Sequence, residues 1–265
     1  MIDALRKLLR PRAAQPVPSV PAGERVYAVG DVHGRSDLFL PLIDAIEADD
    51  RSRGPANTTI ILLGDLIDRG ADSAGVVAAA RALAARRKVR ILCGNHEEVF
   101  LRCFEDLELL RQFLRFGGRE TVLSYPVDMA RWNSATHKEA QELMRAAVPE
   151  EDLAFIRDFE DSICMGDYLF VHAGIAPGTP VAQQTQQNLR WIREPFLSHG
   201  GDHGYVVVHG HTIAPEPVIR RNRIGIDTGA YATGRLTALG LEGTGRWLIE
   251  ACGDEDDVTI QTRSA

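Results

Sequence analysis

Along the first half of the chain, short runs of β-branched and aliphatic residues alternate with longer segments of helical periodicity, and each run ends in a polar, glycine-bearing stretch. RVYAVG (25–30), TIILLG (59–64) and VRILCG (89–94) read as strands, followed by helices near Leu38–Ala48, Ala74–Arg87 and Val99–Leu110. From Gln112 to Gly166 the pattern turns helical and irregular, with GGRETVLSY, MARWN and PEEDLAFIRDF, and predicts a cap over the site. Apolar runs return in YLFVHAG and YVVVHGHT, separated by a glutamine-rich loop and WIREPF. IGIDTG, RLTALGL, GRWLIEA and VTIQT read as the closing strands, with hairpin turns at Gly234 and Gly243–Gly245. A parallel first half and an antiparallel second half predict an α/β fold in which two sheets pack face to face with helices outside.

The N-terminal residues follow a different pattern. MIDALRKLLRPR sets Ile2, Leu5, Leu8 and Leu9 on one helical face beside Arg6, Lys7 and Arg10, and Pro11, Pro16, Pro18 and Pro21 then forbid a continuing helix. Residues 1–23 are therefore expected to be a basic segment and linker, and 24–265 the folded domain, with the helical insertion at about 112–166.

Composition narrows the class. A chain of 265 residues with 45% hydrophobic and 25% charged residues is expected to form one soluble core, and no apolar run approaches the ~18 residues of a membrane span. The four cysteines, Cys93, Cys103, Cys164 and Cys252, have no CxxC spacing, so reduced thiols and a cytoplasmic setting are expected. A net charge of −7 argues against a nucleic-acid footprint. No heptad pattern is evident, and a monomer is expected.

The polar strand endings carry the chemistry. Asp31 and His33 in GDVHG are two apart, so that an extended segment would point both to one side. Asp65 in GDLIDRG follows a buried strand, where an uncompensated carboxylate costs several kcal/mol and calls for a cation. Asn95 and His96 in GNHE are neighbours that diverge and are expected to do different jobs. His172, His209 and His211 follow two further apolar strands, and alternation alone does not choose between the last two. Carboxylate, imidazole and amide oxygen together suit Mn, Fe or Zn. No GxSxG, Walker or dinucleotide-binding fingerprint competes, and Ser124 and Tyr125 lie near no base in sequence.

Taken in order, GDVHG, GDLIDRG, GNHE, HAG and HGHT resemble the bacterial serine/threonine phosphoprotein phosphatases within the calcineurin-like metallophosphoesterases. IDTGAYATGRLTAL and GGRETVLSY are similar to segments of the small bacterial members. The resemblance implies a four-layer α/β/β/α sandwich with two mixed sheets. It also implies two divalent metal ions, Mn2+ foremost, held by Asp31, His33 and Asp65 on one side and by Asp65, Asn95, His172 and His211 on the other. His209 would then stand behind the ligands. His96 and Asp68 become the general-acid dyad, and Arg69 and Arg193, with Asn95, the phosphate-binding groups, Arg190 being a rival for Arg193. The expected reaction is in-line hydrolysis of a phosphorylated protein or peptide by water that the metals activate. Two other readings accompany it: a symmetrical dinucleoside tetraphosphate hydrolase, since those enzymes share the scaffold, and a silent binding module, against which the complete ligand set argues.

Overall fold

The computed structural model describes residues 17–254 and 257–265. The basic segment, Pro11 and Pro16 lie outside the described residues, as do Glu255 and Asp256 of the acidic loop. The chain runs β1 (Glu24–Val29), α1 (Ser36–Ser52), β2 (Asn57–Leu62), α2 (Ser73–Arg86), β3 (Val89–Ile91) and α3 (Asn95–Cys103). Then come α4 (Leu107–Phe113), a π turn (Leu114–Gly118), α5 (Arg119–Ser124), α6 (Met129–Ser134), α7 (His137–Ala147) and α8 (Glu150–Arg157). β4 (Ser162–Met165), β5 (Tyr168–Val171), α9 (Gln186–Trp191), β6 (Val206–His209), β7 (Val218–Ile219) and β8 (Arg223–Gly225) follow, and α10 (Ala230–Thr233), β9 (Arg235–Glu242), β10 (Gly245–Cys252) and β11 (Thr259–Ser264) close the chain.

Two mixed sheets result, ordered β11-β10-β9-β1-β2-β3 and β4-β5-β6-β8-β7. β1, β2 and β3 are parallel, as are β5, β6 and β8. The two halves of the chain do not make one sheet each: β9 pairs antiparallel with β1 and brings β10 and β11 into the first sheet. Side-chain alternation explains the layers. Val26 and Ala28 of β1 face the second sheet and pack with Ile61, Phe170, Val208 and Leu239. Their neighbours Tyr27 and Val29 face outward, into a core built with Leu38, Leu42, Val76 and Phe100 from the helices. The outer face of the second sheet is covered more thinly, by Leu189 of α9 with Ile175 and Phe196.

Several local expectations change. The helix expected from Val99 to Leu110 begins at Asn95 and is broken at Asp106, whose carboxylate accepts from Glu108 N–H and Leu109 N–H to cap α4. Gly234 is not a hairpin turn; it is the left-handed residue that ends α10 (φ 66°). The β9–β10 turn does fall at Gly243, where Glu242 pairs with Gly245. Segment 112–166 contributes Val122, Tyr125, Met144, Leu153 and Ile156 to the core it shares with β1 and β2, and its last residues are a strand, β4. Residues 19–20 of the proline-rich stretch touch both sheets: Val20 N–H donates to Gly243 O, and Ser19 O accepts from Asp167 N–H. Among the described residues no helix is long and apolar enough to cross a membrane.

Candidate active site

Six of the parallel strands end on one edge of the sandwich, and the loops that leave them deliver the polar side chains. Asp31 and His33 follow β1; Asp65, Asp68 and Arg69 follow β2; Asn95, His96 and Glu97 form the first turn of α3 after β3. His172 follows β5, His211 follows β6 and Asp227 follows β8. Five non-glycine residues have positive φ among those described: His33 (48°), Asp65 (49°), Asp68 (74°), Arg69 (73°) and His211 (62°). Each such conformation costs of order 1–3 kcal/mol, and their confinement to these loops marks where the fold holds strain. Asp31 and His33 therefore do not share an extended segment, as their spacing suggested; a turn at His33 brings both inward. Two glycines are required by close approach. A side chain at Gly94 would strike the Asp65 carboxylate, and one at Gly210 the Asp31 carboxylate.

Asp65 is the hub. Its Oδ2 lies 3.3 Å from His172 Nε2, 3.6 Å from His33 Nε2 and 3.9 Å from His96 Nε2. His33 Nδ1 is 2.8 Å from Ile67 O, and His172 Nδ1 is 2.8 Å from Leu63 O, so each ring N–H is spent on a carbonyl and Nε2 turns toward the carboxylate. Asn95 Oδ1 adds a further acceptor, 3.1 Å from His172 Nε2 and 2.8 Å from His211 Nδ1. Acceptors converging at these distances repel unless positive charge stands among them. Two groups, His33/Asp65/His96 and Asp65/His172/His211, each bring their ligand atoms within 4.8 Å of one another, sharing Asp65. Asp31 Oδ1 and His211 Nε2 are buried with no partner at all, while Asp31 Oδ2 accepts from His211 N–H at 2.9 Å. Orphaned lone pairs of this kind, on oxygen and imidazole, fit a divalent cation.

The electrostatics say the same. Burial opposes the charge of Asp65, but His172, His96 and His33 outweigh it and hold the carboxyl well below its usual range. Burial would also keep His172 neutral, yet Asp65 lifts it to about 10. Burial pushes His33 and His211 down to about 3, with neighbouring positive groups adding to the effect. Asp31 is raised well above its usual value by burial and by Asp227. One buried centre thus crowds carboxylates and imidazoles around Asp65, and Asp31 Oδ1 and His211 Nε2 are left without a partner in it.

His96 faces the other way from Asn95. Its Nδ1 lies 2.5 Å from Asp68 Oδ2, and its Nε2 is 3.0 Å from Arg69 Nη2. Burial opposes a charge on His96, but the Asp65 and Asp68 carboxylates raise its pKa, and burial raises Asp68 in turn against the pull of His96. Distance alone would also admit His96 as a cation ligand, but its bond to Asp68 sets it apart from His33. Arg69 bridges the two rings, with Nη1 2.9 Å from His33 Nε2, and its guanidinium lies 4.7 Å from the ring centroid of Tyr231. Arg193 is exposed, and its charge reaches His211. Arg190 is already engaged, donating to Asp161 at 2.8 Å and to Glu98 at 3.4 Å. His209 turns from the cluster toward Gly210 O and Arg223. Ser124 donates to Thr121 O and Tyr125 to the Asp152 carboxylate.

Three residues had no role assigned from sequence. Glu97 is fully buried, and its carboxylate accepts from Asp65 N–H (2.9 Å), Leu66 N–H (2.7 Å) and Gly94 N–H (2.9 Å), tying the β2 and β3 loops together. Burial and Asp65 push it up to about 7. An acidic residue at the third position of a helix is a capping signal that GNHE does contain. Asp227 is buried, accepts from Gly229 N–H and is pushed up to about 6 by burial. Tyr231 stands edge-on to His33 at 5.4 Å; its place in IDTGAY gives no local signal of this. A cleft of about 880 Å3 elsewhere, lined by Tyr205, Arg221 and Arg246, contains none of these residues.

An α/β/β/α sandwich with buried aspartates and histidines at its strand ends defines a metal-dependent phosphoesterase. The family model of the calcineurin-like phosphoesterases matches residues 24–232, and the chain belongs to that family. It is 26% identical over 231 residues to the asymmetrical bis(5'-nucleosyl)-tetraphosphatase PrpE of Anoxybacillus flavithermus, covering 80% of this chain and 88% of the relative. It is 27% identical over 251 residues to the zinc-dependent endopolyphosphatase of Saccharomyces cerevisiae, covering 80% and 74%. In fold it is similar to the crystal structure of a candidate diadenosine tetraphosphatase, with a TM-score of 0.59 and 19% identity over 94% of this chain and 98% of the other.

Proposed function

We propose that the protein hydrolyses dinucleoside tetraphosphates in a reaction that depends on two divalent cations. The observation that carries this reading is the match, over 80% of this chain, to a relative named as a tetraphosphatase, together with a second relative named as an endopolyphosphatase. Asp31, His33 and Asp65 would hold one cation, and Asp65, Asn95, His172 and His211 the other; once bound, such ions neutralise phosphoryl oxygens and lower the pKa of water toward ~7. Arg69 and Arg193, with the Asn95 amide, bind the equatorial phosphoryl oxygens, which requires Arg69 to exchange its bonds to His33 and His96 for bonds to substrate. His96 donates its proton from Nε2 to the departing oxygen, and Asp68 holds the ring through Nδ1. Tyr231, half-exposed against Arg69, offers an aromatic surface at the mouth of the site.

One observation favours a second reading, hydrolysis of phosphoserine or phosphothreonine. A departing nucleotide is already a stable anion, whereas an alkoxide needs a proton, and the His96–Asp68 dyad is built to give one. The deciding experiment offers metal-stripped protein, resupplied with Mn2+ or Zn2+, diadenosine tetraphosphate and a phosphoserine peptide side by side. Faster turnover of the dinucleotide supports the proposal, two ADP marking a symmetrical cut and ATP with AMP an asymmetrical one. Preferential release of phosphate from the peptide would replace it with the second reading.

A further inference from the structure

GGRETVLSY, Gly117–Tyr125, stands out in the sequence but contains none of the residues grouped around Asp65. Its position explains it. The segment closes on the turn at Asp68 and Arg69, two consecutive left-handed residues. Gly117 O accepts from Arg69 N–H at 2.9 Å. Gly117 itself has φ 102°, and a Cβ there would stand 2.6 Å from Arg69 Cγ. At Gly118 a Cβ would enter the Phe113 ring. Thr121 is fully buried, and its hydroxyl saturates Asp68: Oγ1 donates to Asp68 Oδ1 at 2.5 Å and accepts from Asp68 N–H at 2.8 Å. Ser73 Oγ, also buried, lies 3.0 Å from Thr121 Oγ1 and accepts from the same N–H. Ser124 Oγ then accepts from Ala74 N–H, joining α5 to the start of α2.

We infer that Gly117–Ser124 is a positioning clamp for the Asp68–Arg69 turn, and that Thr121 is the positioning residue through which it acts on the His96–Asp68 dyad. With one carboxylate oxygen held by Thr121, the other has a single orientation in which to face His96 Nδ1. Removing the hydroxyl strands Asp68 Oδ1 in a buried site, while Asp68 N–H keeps Ser73 Oγ, and the unheld carboxylate is free to turn away from the imidazole. The clamp therefore matters in proportion to how much the leaving group needs a proton.

The inference rests on the reading of His96 as proton donor but not on the identity of the natural substrate, so its test uses simple esters. Wild type, Thr121→Val, Thr121→Ser and His96→Asn, each saturated with Mn2+, hydrolyse phenyl phosphate, a poor leaving group, and p-nitrophenyl phosphate, a good one. Thr121→Val is expected to lose about tenfold or more in kcat on phenyl phosphate and less than about threefold on p-nitrophenyl phosphate, with KM little changed. Thr121→Ser, which keeps the hydroxyl, is expected to restore most of the loss. Should the valine variant not fold, Thr121→Cys, with its weak S–H donor, is expected to give the same selective loss. Equal losses on both esters, or none, would overturn the clamp's role if His96→Asn itself discriminates between them. A His96→Asn variant without such discrimination would overturn the proton-donor reading and the clamp's role with it.

Discussion

Replacing Glu97 by glutamine tests how the site is held together. The carboxylate uses one oxygen, Oε2, for Asp65 N–H and Gly94 N–H and the other, Oε1, for Leu66 N–H. A glutamine of the same shape has one acceptor oxygen. Placed to keep the pair at Oε2, it turns its NH2 toward Leu66 N–H, donor against donor, in a pocket with no solvent exposure. A buried donor left unmatched costs about 1–3 kcal/mol. For a chain of this size each kcal/mol lowers Tm by about 2–4 °C, so a fall of about 2–12 °C is expected. The same substitution loosens Asp65, whose strained backbone (φ 49°) Glu97 helps to fix, so metal affinity should fall with stability. Thermal unfolding of metal-free and metal-loaded protein, with isothermal titration of Mn2+, measures both. A Tm within about 1 °C of wild type and unchanged Mn2+ affinity would refute the argument that Glu97 braces the two loops.

Other variants separate roles that the sequence leaves together. Arg193→Ala should raise KM several-fold with little change in Tm, while Arg190→Ala, which breaks bonds to Asp161 and Glu98, should lower Tm with little effect on KM; steady-state kinetics beside thermal unfolding read both. A thiol reagent should label exposed Cys164 in the native protein and reach Cys93 and Cys103 only on unfolding, since burial holds Cys103 up at about 12 and Cys93 higher still; mass spectrometry of the labelled peptides checks the order. Asp49 accepts from Tyr27 OH, Arg53 Nε and Trp247 Nε1, and these donors, working against burial, hold its carboxyl below the usual value. Its folded pKa is depressed, so its contribution is present above the ordinary value near 3.8 and is lost as pH falls through the folded value. Asp49→Asn should therefore cost stability at pH 7 and progressively less toward pH 3, measured by urea unfolding at both.

Much of the fold and most of the candidate site could be read from the chain because both are written locally. An apolar run of strand length closing on a glycine and a polar residue is visible at Val29–Asp31, Leu63–Asp65 and Cys93–Asn95, and the structure places those endings on one edge. What was not legible depends on long-range pairing or on backbone hand. Nothing near Arg235 announces that β9 returns to β1 and joins the first sheet. Period-two alternation left His209 and His211 equal; the strand ends at His209, and the left-handed turn at His211 (φ 62°) sends only that ring to Asn95. Gly234 resembled a hairpin turn because a helix-ending glycine and a turn glycine use the same conformation. Thr121 and Tyr231 meet Asp68 and Arg69 across more than fifty and more than one hundred and sixty residues of chain, respectively, and neither approach leaves a local pattern.

The central claim is that the residues around Asp65 bind two divalent ions and that hydrolysis depends on them. Titration of metal-stripped protein with Mn2+, read by calorimetry and by turnover of diadenosine tetraphosphate in the same samples, tests it most directly. The account predicts two equivalents per chain, activity that rises with their binding, and loss of both in Asp65→Asn. Fewer than two equivalents, or hydrolysis that survives without metal or in Asp65→Asn, would contradict it.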